Sequence, residues 1–154
     1  MNQVVVKQEK SGYQIVEAYK SLRTNLQFCG EDKKVIAVTS CTPNEGKSSV
    51  SMQLGISLAE SGKRVILIDA DLRKSVLLGR TKTQKSVRGL AHFLSGQATL
   101  EDVICSTNVK NFYMIYSGPF PPNPAELLGG KNFRSLLNAL RKVYDYVIVD
   151  TPPL

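Results

Sequence analysis

The sequence predicts an α/β domain in which helices cover both faces of a mainly parallel sheet. Two observations along the 154 residues support this prediction. Short runs of β-branched and other apolar residues, without alternating polar positions, are typical of strands buried on both faces. Stretches with apolar residues three or four positions apart separate these runs and indicate helices. Strands that alternate with helices favour a parallel sheet with helical crossovers.

Four runs are predicted as strands. Residues 35–38, 65–68 and 146–149 are expected to be buried parallel strands, and residues 112–116 form a weaker fourth candidate. All four are rich in valine, isoleucine or aromatic residues, which are enriched in strands.

The intervening segments have helical spacing. Residues 48–61 precede Gly62, a residue typical of a helix C-terminus, and residues 133–143 repeat apolar side chains at helical intervals. Residues 11–29 predict an amphipathic helix with one apolar side, formed by Ile15, Tyr19, Leu22 and Leu26. The proline-rich segment 117–124 must be an extended loop, either a stiff connector or part of a ligand site at the carboxyl edge of the sheet.

Composition excludes several classes of protein. No apolar run approaches the roughly 18 residues of a spanning helix, and the N-terminal apolar stretch is too short for a secretory signal. We therefore expect a cytosolic protein. Cys29, Cys41 and Cys105 are scattered and predict reduced thiols, and His92 is expected to be structural. The formal charge of +7 is spread along the chain, so we expect most basic residues to lie on solvated faces. The charge by itself does not identify a partner, and no nucleic-acid partner is expected.

The strongest motif joins the strand at 35–38 to the helix at 48–61. A loop that binds nucleotide phosphates needs inward-facing backbone N–H groups, a helix N-terminus, a lysine for the outer phosphates and a hydroxyl for Mg²⁺. Lys47 and Ser48 supply the last two, and Cys41 stands where the usual pattern opens with a glycine. The motif predicts a P-loop NTPase-like three-layer αβα domain that binds ATP through Thr42, Pro43, Asn44, Glu45, Gly46, Lys47, Ser48 and Ser49.

Two other predicted strands end in acidic residues. The strand at 65–68 is followed by Asp69, Asp71 and Arg73, and the strand at 146–149 by Asp150. Carboxylates at the end of a buried strand are costly unless they have partners, and Mg²⁺ with a triphosphate supplies such partners. One carboxylate can face the metal while another orients or deprotonates an attacking hydroxyl. A solvated turn joined by an ion pair is the alternative for the first of these segments.

Taken together, these segments resemble the bacterial tyrosine kinases, the P-loop kinases of capsular and exopolysaccharide synthesis. The resemblance lies in residues 41–48, in residues 66–73 with their aspartate-x-aspartate-x-arginine run, and in residues 147–152. It extends to residues 122–128 and 17–26. It implies an ATP-dependent, autophosphorylating protein tyrosine kinase that regulates polysaccharide synthesis and export.

The resemblance also implies a role for each matching residue. Lys47 and the loop amides would hold the ATP phosphates. Ser48 and Asp69 would bind Mg²⁺, with Asp71 and Asp150 near it. Asp69 or Asp71 would then serve the incoming tyrosine hydroxyl. The implied catalytic set is Lys47, Asp69, Asp71 and Arg73.

Partners are implied in the same way. Glu17, Lys20 and Arg23 match the family's glutamate-arginine-arginine motif, through which such kinases form rings, and a plain amphipathic helix is the alternative. Lys20 replaces the first arginine and cannot make a bidentate fork to a carboxylate. Because the sequence shows no membrane segment, we expect a separate transmembrane activator of the polysaccharide co-polymerase type. It would hold the kinase at the inner face of the plasma membrane, where protein tyrosines are the expected substrates.

Members of this family usually continue past the Asp150 strand and end in a tyrosine-rich tail. The tyrosines of this sequence form no terminal cluster, so we expect residues 1–154 to be one C-terminally incomplete kinase domain, with residues 1–30 used for subunit contact. Two alternatives remain. A switch ATPase of the partition or cell-division positioning type usually has an early P-loop lysine, where this chain has Thr42. The other is a chain that binds nucleotide, or only partner subunits, without chemistry.

Overall fold

The computed structural model describes residues 1–6, 12–30, 32, 34–39, 47–72, 81–83, 87–119 and 121–152. The strands found there are β1 (Asn2–Val6), β2 (Val35–Val38), β3 (Val65–Asp69), β4 (Thr81–Thr83), β5 (Cys105–Thr107), β6 (Phe112–Ile115) and β7 (Tyr146–Asp150). The helices are α1 (Tyr13–Phe28), α2 (Lys47–Glu60), α3 (Leu90–Leu94), α4 (Leu100–Val103), α5 (Pro124–Leu128) and α6 (Lys131–Val143). The four predicted strands and three predicted helices are confirmed, with small shifts at their ends.

The strands form one sheet in the order β2-β7-β3-β6-β5-β1-β4. The four predicted strands β2, β7, β3 and β6 are parallel neighbours. Beyond them, β5 is antiparallel to β6, β1 is parallel to β5, and β4 is antiparallel to β1. The prediction of a mainly parallel sheet is therefore confirmed.

Helices cover both faces of this sheet. Along β3, Leu67 lies in the core cluster that includes residues of α2, whereas Ile66 and Ile68 lie in the cluster that includes residues of α3 and α6. Every residue of β3 and β7 is buried, since both strands are paired on each side and covered on each face. This arrangement confirms the three-layer αβα architecture.

The sequence patterns do not predict strands β1, β4 and β5. β4 and β5 have three residues each, too few for a periodic pattern. β1 buries Val4 and Val6 and exposes Val5, and its end is held by a distant side chain. The Val6 N–H donates to Oδ1 of Asn108 at 2.6 Å, and Nδ2 of Asn108 donates to the Val6 carbonyl at 3.4 Å. A contact across 102 positions leaves no local signature.

One strand prediction needs correction. β2 was expected to be buried, yet Val35 is 38% exposed, Ala37 is exposed, and Ile36 and Val38 are only partly buried. Within the described residues β2 pairs only with β7 and lies at the end of the sheet. An apolar run predicts a hydrophobic strand, but it does not predict whether that strand is central or lies at the side of the sheet.

Only part of the predicted apolar side of α1 is covered by the rest of the protein. Leu26 packs against the core, and Tyr19 is half-buried, but Ile15 and Leu22 are 52% and 38% exposed. No residue of α1 is fully buried. The helix packs mainly on α2, so its contact stripe is narrower than its apolar face.

Two loops meet closely near the carboxyl end of β6. A side chain at Gly89 would collide with the backbone of Gly118. The N–H of Leu90 donates to the Tyr116 carbonyl at 2.6 Å, and Nδ1 of His92 accepts from the Gly89 N–H at 3.0 Å. His92 thus caps the start of α3, which confirms its structural role. The described residues of the loop 117–124 are neither helix nor strand until Pro124, which begins α5.

At the amino ends of β3, β6 and β7, the Arg64 guanidinium lies 5.3 Å from the ring centre of Tyr113 and 5.2 Å from that of Tyr144. Cys105 is a buried free thiol and Cys29 an exposed one; Cys41 lies outside the described residues. None of the helices in the described part of the chain is both long and apolar enough to cross a bilayer.

Candidate active site

The predicted site residues converge because three elements end or begin at the same edge of the sheet. β3 ends at Asp69 and β7 ends at Asp150, and the two aspartates are direct partners in the parallel register of these neighbouring strands. α2 begins at Lys47, with Ser48 in its first turn. Carboxyl ends of adjacent parallel strands form the usual ligand crevice of open α/β sheets.

The Asp150 carboxylate is the centre of a buried hydrogen-bond cluster. Oδ1 accepts from the Lys47 ammonium at 2.5 Å and from the Ser51 hydroxyl at 3.3 Å. Oδ2 accepts from the Ser48 hydroxyl at 3.0 Å. Asp150 is 1% exposed, and the Lys47 side chain is 9% exposed. A buried ion pair is tolerated when further hydrogen bonds satisfy the charges, and the two serines provide these bonds here.

Backbone contacts hold Asp150 in place from both sides. The Asp150 carbonyl accepts from the Ala70 N–H at 2.9 Å, which connects it to the turn after β3. On the other side, the N–H and hydroxyl of Thr151 donate to the Val38 carbonyl at 3.0 and 2.9 Å. The carboxylate therefore stands on a strand that is fixed to both of its neighbours.

Asp69 and Asp71 lie beside this cluster and are 1% and 8% exposed. The Asp71 N–H donates to Asp69 Oδ1 at 3.2 Å, so the backbone turn itself orients the first carboxylate. Both residues have further interactions within the protein. This burial contradicts the solvated part of the alternative, which was a solvated turn joined by an ion pair.

The structure thus brings together Lys47, Ser48, Asp69, Asp71 and Asp150. Ser49 follows on α2 and is partly buried. The predicted phosphate-loop residues Thr42, Pro43, Asn44, Glu45 and Gly46, and the predicted catalytic Arg73, lie outside the described residues.

Ser51 is the site residue that the sequence patterns missed. A serine inside a predicted helix has no motif of its own, and its role depends on a strand 99 positions away. The available signal was its spacing, because residues i and i+4 share a helix face and Ser51 stands four positions after Lys47.

The donor set suits a hard cation held together with phosphates. Within the described ranges, no group of three or more His, Cys, Asp or Glu residues could hold a metal ion by itself. Mg²⁺ is commonly held by one or two carboxylates together with phosphate oxygens and water, rather than by an all-protein cage. The neighbouring oxygens of Ser48 and Asp150 match that pattern of partial ligation.

The three residues predicted for subunit contact have different environments. Glu17 and Lys20 form a pair at 3.4 Å on the exposed side of α1. Arg23 instead donates to the backbone carbonyl of Ser57 in α2 at 2.9 Å and reaches the Ser57 hydroxyl at 3.4 Å. Arg23 therefore fastens α1 to α2 of its own chain.

Comparison with known proteins gives the family. The AAA domain model matches residues 33–154. Tyrosine-protein kinase CpsD of Streptococcus agalactiae is 44% identical over 138 residues, which cover 90% of this chain and 60% of CpsD. The BceF tyrosine kinase domain superposes with a TM-score of 0.81 at 44% identity, over 90% of this chain and 55% of that chain.

The VpsO kinase domain shares 30% identity at a TM-score of 0.73, and the match covers 92% of this chain and 73% of that domain. The chain belongs to the bacterial tyrosine kinases. It spans about 60% of the length of the curated family members named CpsD. The Asp69 to Arg73 run and the strand ending at Asp150 thus stand in a chain whose relatives are named kinases.

A more distant likeness is to the septum site-determining protein MinD of Pyrococcus horikoshii, solved in complex with Mg-ADP. That match has 27% identity and a TM-score of 0.64, over 79% of this chain and 49% of MinD. The kinase domains are therefore the nearer relatives in both sequence and structure.

Proposed function

We propose that the protein is an ATP-dependent tyrosine kinase of the autophosphorylating type, which regulates capsular or exopolysaccharide synthesis and export. The observation that carries the proposal is the buried cluster of Lys47, Ser48 and Asp150, with Asp69 as the register partner of Asp150. A lysine, a hydroxyl and two strand-end carboxylates at one sheet edge are the groups that phosphoryl transfer from ATP requires.

In this proposal ATP enters over the start of α2. The Lys47 ammonium leaves Asp150 Oδ1 and turns to the phosphates, while the phosphate loop at 42–46 supplies backbone N–H groups. Mg²⁺, when bound, neutralises the charge that develops on the phosphates. Ser48, Asp69 and Asp150 are the residues that would hold it, with Asp71 alongside.

The transfer step needs an acceptor for one proton. The bond between the γ-phosphorus and the β,γ-bridging oxygen breaks as the tyrosine oxygen bonds to that phosphorus, leaving ADP and phosphotyrosine. The hydroxyl proton passes to Asp69 or Asp71, which are buried at the same edge. Arg73 is proposed to stabilise charge on the transferring group.

Partners follow from the surface and from the family. The exposed apolar residues Ile15 and Leu22 and the charged pair Glu17–Lys20 lie on α1, which supports a ring of copies joined through this helix. We propose that a transmembrane activator of the polysaccharide co-polymerase type holds the kinase at the inner face of the plasma membrane. The proposed substrates are tyrosines of the kinase itself and of other proteins.

A phosphotyrosine assay tests the proposal. Purified protein is incubated with labelled ATP, Mg²⁺ and the cytosolic tail of a candidate activator, and the products are probed for phosphotyrosine and free phosphate. Lys47→Met should abolish both products. The matched control is Lys63→Met, which removes a lysine beyond the other end of α2 and should leave both unchanged.

The outcomes separate the three candidate functions. Phosphotyrosine that depends on Lys47 supports the kinase. Free phosphate without phosphotyrosine would instead indicate a switch ATPase, as the likeness to MinD suggests. Nucleotide binding without either product would indicate a chain that binds without chemistry. Phosphotyrosine that persists in Lys47→Met would show that the site is wrongly assigned.

A further inference from the structure

Ser51 stands one helical turn after Lys47 on α2 and is fully buried. Its hydroxyl lies 3.1 Å from the Lys47 carbonyl oxygen and 3.3 Å from Asp150 Oδ1. The contact with the carbonyl four residues earlier is common for a serine within a helix. The contact with Asp150 is different, because it exists only through the packing of α2 against β7. One hydroxyl proton is shared between these two acceptors.

The two oxygens of Asp150 are held by different donors. Oδ2 accepts from Ser48, whereas Oδ1 accepts from Lys47 and Ser51. When Lys47 turns to the phosphates, Oδ1 loses the donor at 2.5 Å. Of these three donors, only Ser51 then remains on that oxygen. The terminal torsion of an aspartate is broad, so a carboxylate released at one oxygen can rotate away from its working orientation.

We propose that Ser51 is a positioning residue, which keeps the Asp150 carboxylate oriented after Lys47 has left it. The Ser51 hydroxyl then donates its hydrogen bond to Oδ1 alone, and Oδ2 stays beside the Ser48 hydroxyl. The inference rests on the proposed binding of ATP and Mg²⁺ at this site. Residues that orient a metal-binding carboxylate in this way typically change metal affinity by about 10- to 100-fold when they are removed.

The test measures nucleotide binding instead of catalysis. A fluorescent, non-hydrolysable ATP analogue is titrated into the protein, first in EDTA and then at increasing Mg²⁺ concentrations. Mg²⁺ should tighten the binding of the analogue, and Ser51→Ala should raise the Mg²⁺ concentration that gives half of this effect about tenfold. The affinity measured in EDTA should be unchanged. Ser51→Thr, which keeps the hydroxyl, should restore the wild-type Mg²⁺ dependence. Ser51→Cys, with a weak donor, should lie between the two.

Ser57→Ala is the matched control. It removes a buried hydroxyl from the same helix, so the gain in helix propensity is equal, but Ser57 bonds to Arg23 and not to Asp150. This variant should follow the wild type at every Mg²⁺ concentration. A general packing defect would weaken binding with and without Mg²⁺, and it would lower the melting temperature.

Distinct results overturn the two proposals. If the wild type tightens with Mg²⁺ and Ser51→Ala tightens equally, the role of Ser51 is wrong and the nucleotide site stands. The same holds if Ser51→Ala loses affinity equally in EDTA and in Mg²⁺. If the wild type shows no Mg²⁺-dependent binding, the proposed function and this inference both fail.

Discussion

The buried pair of Lys47 and Asp150 should be strongly coupled in the absence of nucleotide. The ammonium and carboxylate are 2.5 Å apart, and their side chains are 9% and 1% exposed. Removing one member of such a pair leaves the other charge buried without its partner, whereas removing both leaves neither charge of the pair uncompensated. We therefore expect the double variant Lys47→Met/Asp150→Asn to be more stable than the two single losses would suggest.

The loss of folding stability in each single variant depends on which contacts the remaining group keeps. Asp150→Asn leaves the Lys47 ammonium without its counter-charge and should cost about 3–5 kcal/mol. Lys47→Met should cost less, because Asp150 still accepts from Ser48 and Ser51. The coupling between the two changes should be about 1–3 kcal/mol. For a chain of this size each kcal/mol lowers the melting temperature by about 2–4 °C.

The wild type, the two single variants and the double variant form a double-mutant cycle. Thermal and urea unfolding in EDTA, followed by circular dichroism, measure the stability of each. The matched control is the same cycle on Glu17 and Lys20, a pair at 3.4 Å whose side chains are about half exposed. Exposed pairs couple by no more than about 1 kcal/mol. The reasoning is refuted if the losses at Lys47 and Asp150 simply add, or if their coupling is no larger than that of the exposed pair.

Three further predictions concern parts of the fold outside the site. Gly89→Ala should destabilise the protein by about 1–3 kcal/mol, because the new methyl group meets the backbone of a crossing loop. Arg64→Met should cost about 0.5–1 kcal/mol through loss of the guanidinium contact with two tyrosine rings. Burial raises the pKa of the Cys105 thiol from about 9 to about 11, so the unfolded state ionises first. The corresponding stability is present below pH 9 and is lost as the pH rises to about 11. Cys105→Ala should therefore show a shallower fall in urea midpoint over this range.

Each of these has a result that contradicts it. A melting temperature of Gly89→Ala at or above that of the wild type would show that the loops can separate freely. For the Arg64 contact, Arg64→Lys should retain only part of the stability, and full retention would mean that the planar group is not needed. Parallel pH profiles for the wild type and Cys105→Ala would exclude the thiol as a source of the alkaline loss.

Much of the fold was predictable because its signals are local. The runs that became β3 and β7 are hydrophobic enough to be recognised alone, the run of β6 is a weaker example, and α6 has a clear helical period. β4 and β5 are too short for any period, and β1 depends on Asn108, which is far away in sequence. The exposure of β2 and of Ile15 could not be predicted, since an apolar pattern does not state which neighbours will cover it.

For the site too, some features could be predicted from the sequence and others could not. Its candidate residues could be found from the sequence, because a lysine and serine at a strand-to-helix junction and aspartates at strand ends are local features. The order of the strands is set by how helices pack across the sheet. From the sequence alone came the P-loop type of domain and the resemblance to bacterial tyrosine kinases, together with the prediction of which residues meet the phosphates and the metal. Only the tertiary structure placed β7 between β2 and β3, and so brought Asp150 against Lys47, Ser48 and Ser51, since the contacts that orient a buried carboxylate come from residues about 100 positions away.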